Sequence, residues 1–409
     1  MDAPTDTVLD HVGTARLFRL QRLAPAGAGR LWVKWERANP GGSAEDRPAR
    51  HIVDVAEKRG LLLPGGTIVE DSSGDFGVSL AMVGAARGYR VIVVVGPEAS
   101  AATRATLRAF GAEVVEAGAA DPRSGANFSP SERTVGTAGF GGSERSVSEL
   151  QDIDTSIETK VGGITSEAPA SETWASSTES ASAVANRLAR RIPGAFRPDR
   201  RLSLLDSQAH YLTTAREILE ETGGDLDVLV AAVGAGGQLA GLSRRLREQA
   251  PHVRVVAADL ASAPRSPGSG RGWIAWNLDL GLIDAAYRVP TADAAAACRA
   301  LARHEGVLTG PVSGAAALVG LRESLIAKPG TRVVAVLADG GDRHLDTVYD
   351  ERWLAGRGLP AAVPTLPEIR DRAYSIAPVT AAPAGSALSA VSVASRPAFD
   401  PHRQWADPA

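Results

Sequence analysis

Leu31-Trp32-Val33-Lys34-Trp35-Glu36, followed two residues later by Asn39-Pro40-Gly41-Gly42-Ser43-Ala44-Glu45-Asp46-Arg47, is the stretch that orders the rest of the chain. The first run alternates as a strand does. Ser43, with Asp46 three residues on, reads as a helix N-cap with an acid near the third helical position. The helix that follows should run to about Arg59, with Ile52, Val53 and Ala56 on one side. Pro48 sits awkwardly for a start at Ala44, which places the start nearer Arg47. Gly60 and Pro64-Gly65-Gly66 end it.

Working outward, the same strand–helix rhythm recurs in two blocks. Thr67–Glu70 reads as a strand, and the loop Asp71-Ser72-Ser73-Gly74-Asp75-Phe76-Gly77 opens a helix that stops at Gly88. Val91–Val95 is the unbroken apolar run of a strand buried on both faces. A helix over Ala101–Phe110 and a strand over Ala112–Val115 close the first block. The second predicts helices over Ala181–Ile192 and His210–Glu221 and a strand over Asp227–Val233. After the turn Gly234-Ala235-Gly236-Gly237, a helix over Gln238–Gln249 leads to a strand over Val253–Ala258. Helices over Ala292–His304 and Ser313–Ile326 and a buried strand over Arg332–Leu337 complete it. Such alternation predicts an α/β protein with doubly wound, largely parallel sheets. Residues 1–28 read as loop, with a short element near Thr14–Leu20. Residues 121–180 are rich in Ser, Thr, Gly and Glu without a period and read as a disordered insertion. From about 357 to 409 the chain is Ala/Pro/Ser-rich and reads as a mobile tail.

Composition narrows the function. A formal net charge of −3 gives no reason to invoke nucleic acid or an anionic membrane. No apolar run has the length of a membrane span, and the N-terminal stretch shows no signal peptide, so a cytoplasmic location is expected. The single cysteine, Cys298, reads as a buried structural thiol. His210, His304 and His344 show no metal-ligand spacing, so no metal is expected. Lysine occurs four times, at positions 34, 58, 160 and 328.

The glycine turn carries the clearest chemistry. Gly234, Gly236 and Gly237 bring free backbone N–H groups to a helix N-terminus with no side chain in the way, a ready anion site. The turn also resembles a dinucleotide fingerprint with Asp259 as the ribose acid, although Leu239 occupies the third glycine position.

Taken together the motifs resemble the cysteine synthase and cystathionine β-synthase family, pyridoxal-phosphate (PLP) enzymes of the second fold type, to which tryptophan synthase β also belongs. Asn39–Arg47 is similar to that family's N-P-x-x-S-x-K-D-R segment, and Asp71–Gly77 to its T-S-G-N-T-G loop. Gly234–Gly241 resembles the phosphate loop G-T-G-G-T-x-x-G. Gly310–Ala315 resembles the G-x-S-S-G-A turn, and Asp339–Thr347 the closing D-S-G-E-R-Y-L-S-T segment. The order is that of the family over about residues 14–355. The resemblance implies a large domain from 1–41 and 181–355, a small domain over 42–118, and a dimer. It implies cofactor contacts from Gly234, Ala235, Gly236, Gly237, Gln238, Asp75 and Ser313, and substrate contacts from Ser72, Ser73, Gly74 and Phe76.

The departures from the family fall where the cofactor would sit. Glu45 stands at the lysine that holds PLP as a Schiff base, and a carboxylate cannot form that bond. Asp75 stands at an asparagine donor, and an ionised Asp only accepts. Phe76, Ala235 and Gln238 stand at threonines. Lys34 matches a second family lysine whose role is structural. Three readings follow. The first is a cysteine synthase-like pseudoenzyme or partner subunit, homodimeric or paired with an active homologue, that has lost lysine-dependent β-replacement. The second is an atypical enzyme acting on serine-derived amino acids with non-covalent PLP and Glu45 as acid or base. The third is an NAD(P)-binding oxidoreductase.

Overall fold

The computed structural model describes residues 6–118, 179–200, 203–260 and 278–379. The insertion read over 121–180, apart from its last two residues, lies outside them. So do the end of the tail and residues 262–272.

Two sheets carry the described chain. The larger has six strands in the order β1 (Leu17–Arg19), β2 (Arg30–Trp35), β9 (Arg332–Leu337), β6 (Val228–Ala232), β7 (Arg254–Leu260) and β8 (Ala285–Val289). Only β1 pairs antiparallel, and the other neighbours are parallel. The smaller is a parallel sheet of β3 (Thr67–Asp71), β4 (Arg90–Val95) and β5 (Glu113–Glu116). The α/β, largely parallel reading holds. The apolar run of β4 is apolar because both its faces are covered. Val91, Val93 and Val95 join the core under α1 (Asp46–Lys58), α2 (Asp75–Arg87) and α3 (Ala101–Ala109). Ile92 and Val94 join a second core with Val184, Ala185 and Leu188 of α4 (Ala181–Arg191). The helix α4, expected with the large domain, therefore packs on the small sheet. Phe196 stays on that sheet too, bonding along the β3 edge (Phe196 N to Thr67 O 2.9 Å) before the chain crosses over.

The large sheet is sandwiched in the same way. One face buries Val333, Ala335 and Leu337 against α8 (Thr291–Ala300) and α9 (Pro311–Ile326), and the other buries Val334 and Val336 against α6 (Thr214–Thr222) and α7 (Gly237–Gln249). The helix read over 210–221 is two helices, α5 (Leu204–Leu212) and α6, broken at Thr213 (φ −114°, ψ −77°), whose hydroxyl bonds back to Ala209 O at 2.8 Å. The tail reading needs correction as well. After α10 (Glu351–Ala355), Thr365 and Glu368 form a capping box that opens α11 (Leu366–Ser375). Ile369, Ala373 and Ile376 of this region are buried in the large core. Among the described residues no helix is long and apolar enough to cross a membrane.

Gly241 closes the contact between α5 and α7. A Cβ there would lie 2.3 Å from Ser207 O and 2.7 Å from Tyr211 N, both backbone atoms that cannot swing aside. Gly241→Ala is expected to lower unfolding free energy by about 1–3 kcal/mol, the usual range for overpacking. Chemical denaturation checks this, and a loss near zero would mean the two helices can part freely.

Candidate functional site

The candidate residues follow the carboxyl ends of β2, β3, β6 and β9, the place where open α/β sheets have their ligand crevice. The chain leaving β2 is pinned first. Glu36, fully buried, accepts from Arg47 (Nε–Oε2 2.7 Å) and from Asn39 Nδ2 (2.7 Å). Arg47 also reaches Glu217 at 2.6 and 2.7 Å. Lys34, likewise fully buried, meets Glu217 at 2.9 Å and Glu221 at 2.6 Å. The structural role read for Lys34 agrees with this burial. Of the other described lysines, Lys58 and Lys328 are exposed.

Glu45 lies at the end of that pinned segment. It occupies the N-cap position of α1, displacing the expected Ser43, whose Oγ instead accepts from the Glu45 N–H at 3.2 Å. Asp46 turns back to the Gly41 N–H at 2.6 Å and accepts from Ser79 at 2.5 Å. The Glu45 carboxylate accepts from Arg200 Nη1. The same guanidinium lies 3.8 Å from Asp206 Oδ2 and 4.6 Å from the centre of the Phe76 ring. Neither Arg200 nor Asp206 was legible as a site residue, because one sits in a polar connector and the other begins a helix without a motif.

The remaining candidates converge on the same crevice, with their side chains already engaged. Ser72 Oγ accepts from the Gly77 N–H and Ser73 Oγ from the Gly96 N–H, each at 2.9 Å, so both hydroxyls shape their loop. Gly74 caps α2 and has open space where a side chain would point. Asp75 is held by Arg343 at 2.5 and 2.9 Å, which offsets the repulsion expected of it. Phe76 belongs to the small core. Gly234, Ala235 and Gly236 form the turn before α7, where Gly236 takes φ +92°. A Cβ on Gly237 would lie 2.3 Å from the Asp206 carboxylate, so an acid already rests on this turn. Gln238 keeps a buried Nε2 without a partner. Ser313 donates to Asp339 at 2.5 Å and accepts from its N–H at 3.0 Å.

So many enclosed acids shift the protonation balance. Burial pushes the Glu45 carboxyl up to about 7; Arg200 opposes the shift and Asp206 and Asp75 add to it. Burial likewise raises Asp46 to about 6 against its bonds from Ser79 and Gly41. Asp206 and Asp339 move upward for the same reason. Each of these four carboxyls holds its proton more tightly in the folded chain, so the stability it contributes falls as pH rises, for Asp46 and Glu45 through about 6 and 7. The buried His210 and the arginine-bound Glu217 shift downward and act in the opposite sense. Glu45→Gln removes the Glu45 contribution, so its melting temperature relative to the native chain should rise as the pH is taken from 5.5 to 8. An unchanged difference between the two would contradict the assignment to Glu45.

The sequence matches the family described as "Pyridoxal-phosphate dependent enzyme" over residues 8–136 and 165–339. The chain belongs to that family. It is 30% identical to cysteine synthase B of Escherichia coli over 359 residues, covering 86% of this chain and 99% of the relative. It is also 30% identical to cystathionine beta-synthase of Apis mellifera, covering 86% of this chain but only 63% of that longer protein. The crystal structure of O-ureido-L-serine synthase superposes with a TM-score of 0.65 at 31% identity, covering 86% of this chain and all of that one. The cysteine synthase-like reading and the fold-type-II architecture therefore stand. The dinucleotide reading is left without support. The family match takes in the glycine turn, and Asp259 is spent on Arg288 of the neighbouring strand at 3.0 Å.

The family implies PLP, but the residues present do not fit a covalently held one. No described lysine reaches the crevice, and a carboxylate rests on the turn that would take the phosphate. Glu45 and Asp75 are tied to arginines. Among the described residues no group of His, Cys, Asp or Glu is placed to hold a metal.

Proposed function

We propose that this protein is a cysteine synthase-like member of amino-acid metabolism that has given up lysine-dependent PLP β-replacement. It acts as a homodimeric pseudoenzyme or as a subunit beside an active homologue. The supporting observation is Glu45 itself: it follows the pinned Asn39–Ala44 segment at the mouth of α1 and is bound to Arg200. An amine is what the chemistry requires there, and losing a positioned base alone typically costs about 10²–10⁴-fold in rate.

A second reading keeps an enzyme, with non-covalent PLP and Glu45 as acid or base on a serine-derived amino acid. The carboxyl raised to about 7 favours it, since that is where an acid–base group works best. The ion pair with Arg200 and the acid on the phosphate turn weigh against it. The two separate in an assay of the purified chain with PLP, a serine-derived amino acid and a thiol or sulfide. No turnover above the protein-free background is expected, and saturable turnover abolished by Glu45→Gln would favour the second reading. Light scattering, alone and with a cysteine synthase, tests the assembly.

A further inference from the structure

The group standing in the crevice belongs to the chain. Arg200 extends from the connector between the small sheet and α5, and its side chain is only 14% exposed. Three separate elements wall it in: Glu45 at the mouth of α1, Phe76 on α2, and Asp206 on α5. Two carboxylates at the edge and an aromatic face beneath are what recognises a planar guanidinium, whose N–H fork suits oxygen acceptors and whose plane stacks on a ring. The cage has its own support. Asp206 is 3% exposed and rests on Gly237, a position where any side chain would collide with its carboxylate. Asp199, next to Arg200, takes φ +41°, the one positive φ outside glycine among the described residues. A non-glycine residue is held there only when its surroundings over-determine it.

We propose that the crevice is a guanidinium-binding cage built from Glu45, Phe76 and Asp206, with Arg200 as its tethered occupant. The site then takes a cation, an alkylguanidinium, where related proteins would be expected to take a phosphate ester. This deepens the reading of a site closed to PLP, and the two fail separately. PLP binding by the native chain would overturn the former reading whatever guanidinium does, and a cage that rejects guanidinium leaves the cofactor test untouched.

The test empties the cage and offers the ligand back. Arg200→Ala is melted with guanidinium chloride at non-denaturing millimolar concentrations, with sodium chloride and sodium phosphate at equal ionic strength as controls. A saturable rise of about 2 °C at ten times the dissociation constant is expected for guanidinium alone. The rise should be absent from the native chain and from the Glu45→Gln/Arg200→Ala double variant. A rise no larger than with sodium chloride, an equal rise in the double variant, or stabilisation by phosphate instead would overturn the proposal. Should Arg200→Ala not fold, the native chain serves. Phenylglyoxal should modify Arg200 at under a tenth of the rate of the exposed Arg216, and at a comparable rate in Asp206→Asn. Equal rates in the native chain would overturn the cage.

Discussion

Arg47→Met should lower the unfolding free energy by about 3–5 kcal/mol, the usual consequence of removing one member of a buried ion pair. Arg47 lies between Glu36, which is fully buried, and Glu217, which Lys34 also holds. Its loss leaves Glu36 with only the Asn39 amide, in a place water does not reach. Replacing the whole buried set by apolar groups can be neutral, so the loss comes from the stranded charge more than from the bond itself. The expected drop in melting temperature is roughly 4–8 °C, and Glu36→Gln in the same chain should recover part of it. A fall of under 1 kcal/mol by urea titration would mean that the loop leading to Glu45 is held by something else.

Glu45→Lys should fail to create a working enzyme, and it should weaken the protein as well. The new ammonium would stand against Arg200, which would keep only Asp206 at 3.8 Å. Two adjacent cations replace an ion pair whose Glu45 side is still 26% exposed. That exposure discounts the full buried-pair figure to about 2–3 kcal/mol. The variant would still have Asp75 tied to Arg343 and the Asp206 carboxylate on Gly237. No β-replacement above background is expected in an assay with PLP and a serine-derived amino acid. Vigorous turnover by this single variant would show that the surrounding acids do not matter.

Much of this was legible from residue types. The run Val91–Val95 marked a strand covered on both faces, and Glu45 stood out as a departure within the Asn39–Arg47 segment, because both are local signals. What packs on what was harder. The amphipathic pattern of α4 says that one face is buried but not against which sheet. The helix α11 was hidden by the Ala/Pro-rich composition around it, although its capping box and the spacing of Ile369, Ala373 and Ile376 were present. Asp75 was readable as an added acid, but its partner Arg343 lies 268 positions away. Arg200 and Asp206 belong to no motif, and only the folded connector brings them to Glu45.

The proposed loss of covalent cofactor chemistry is open to one direct measurement. The purified chain is titrated with PLP while its absorption spectrum is followed, then reduced with borohydride and mapped by peptide mass spectrometry. The spectrum should remain that of free cofactor, and none of the peptides carrying Lys34, Lys58, Lys160 or Lys328 should gain its mass. A saturable visible chromophore with a stoichiometric adduct on any of these lysines would contradict the loss.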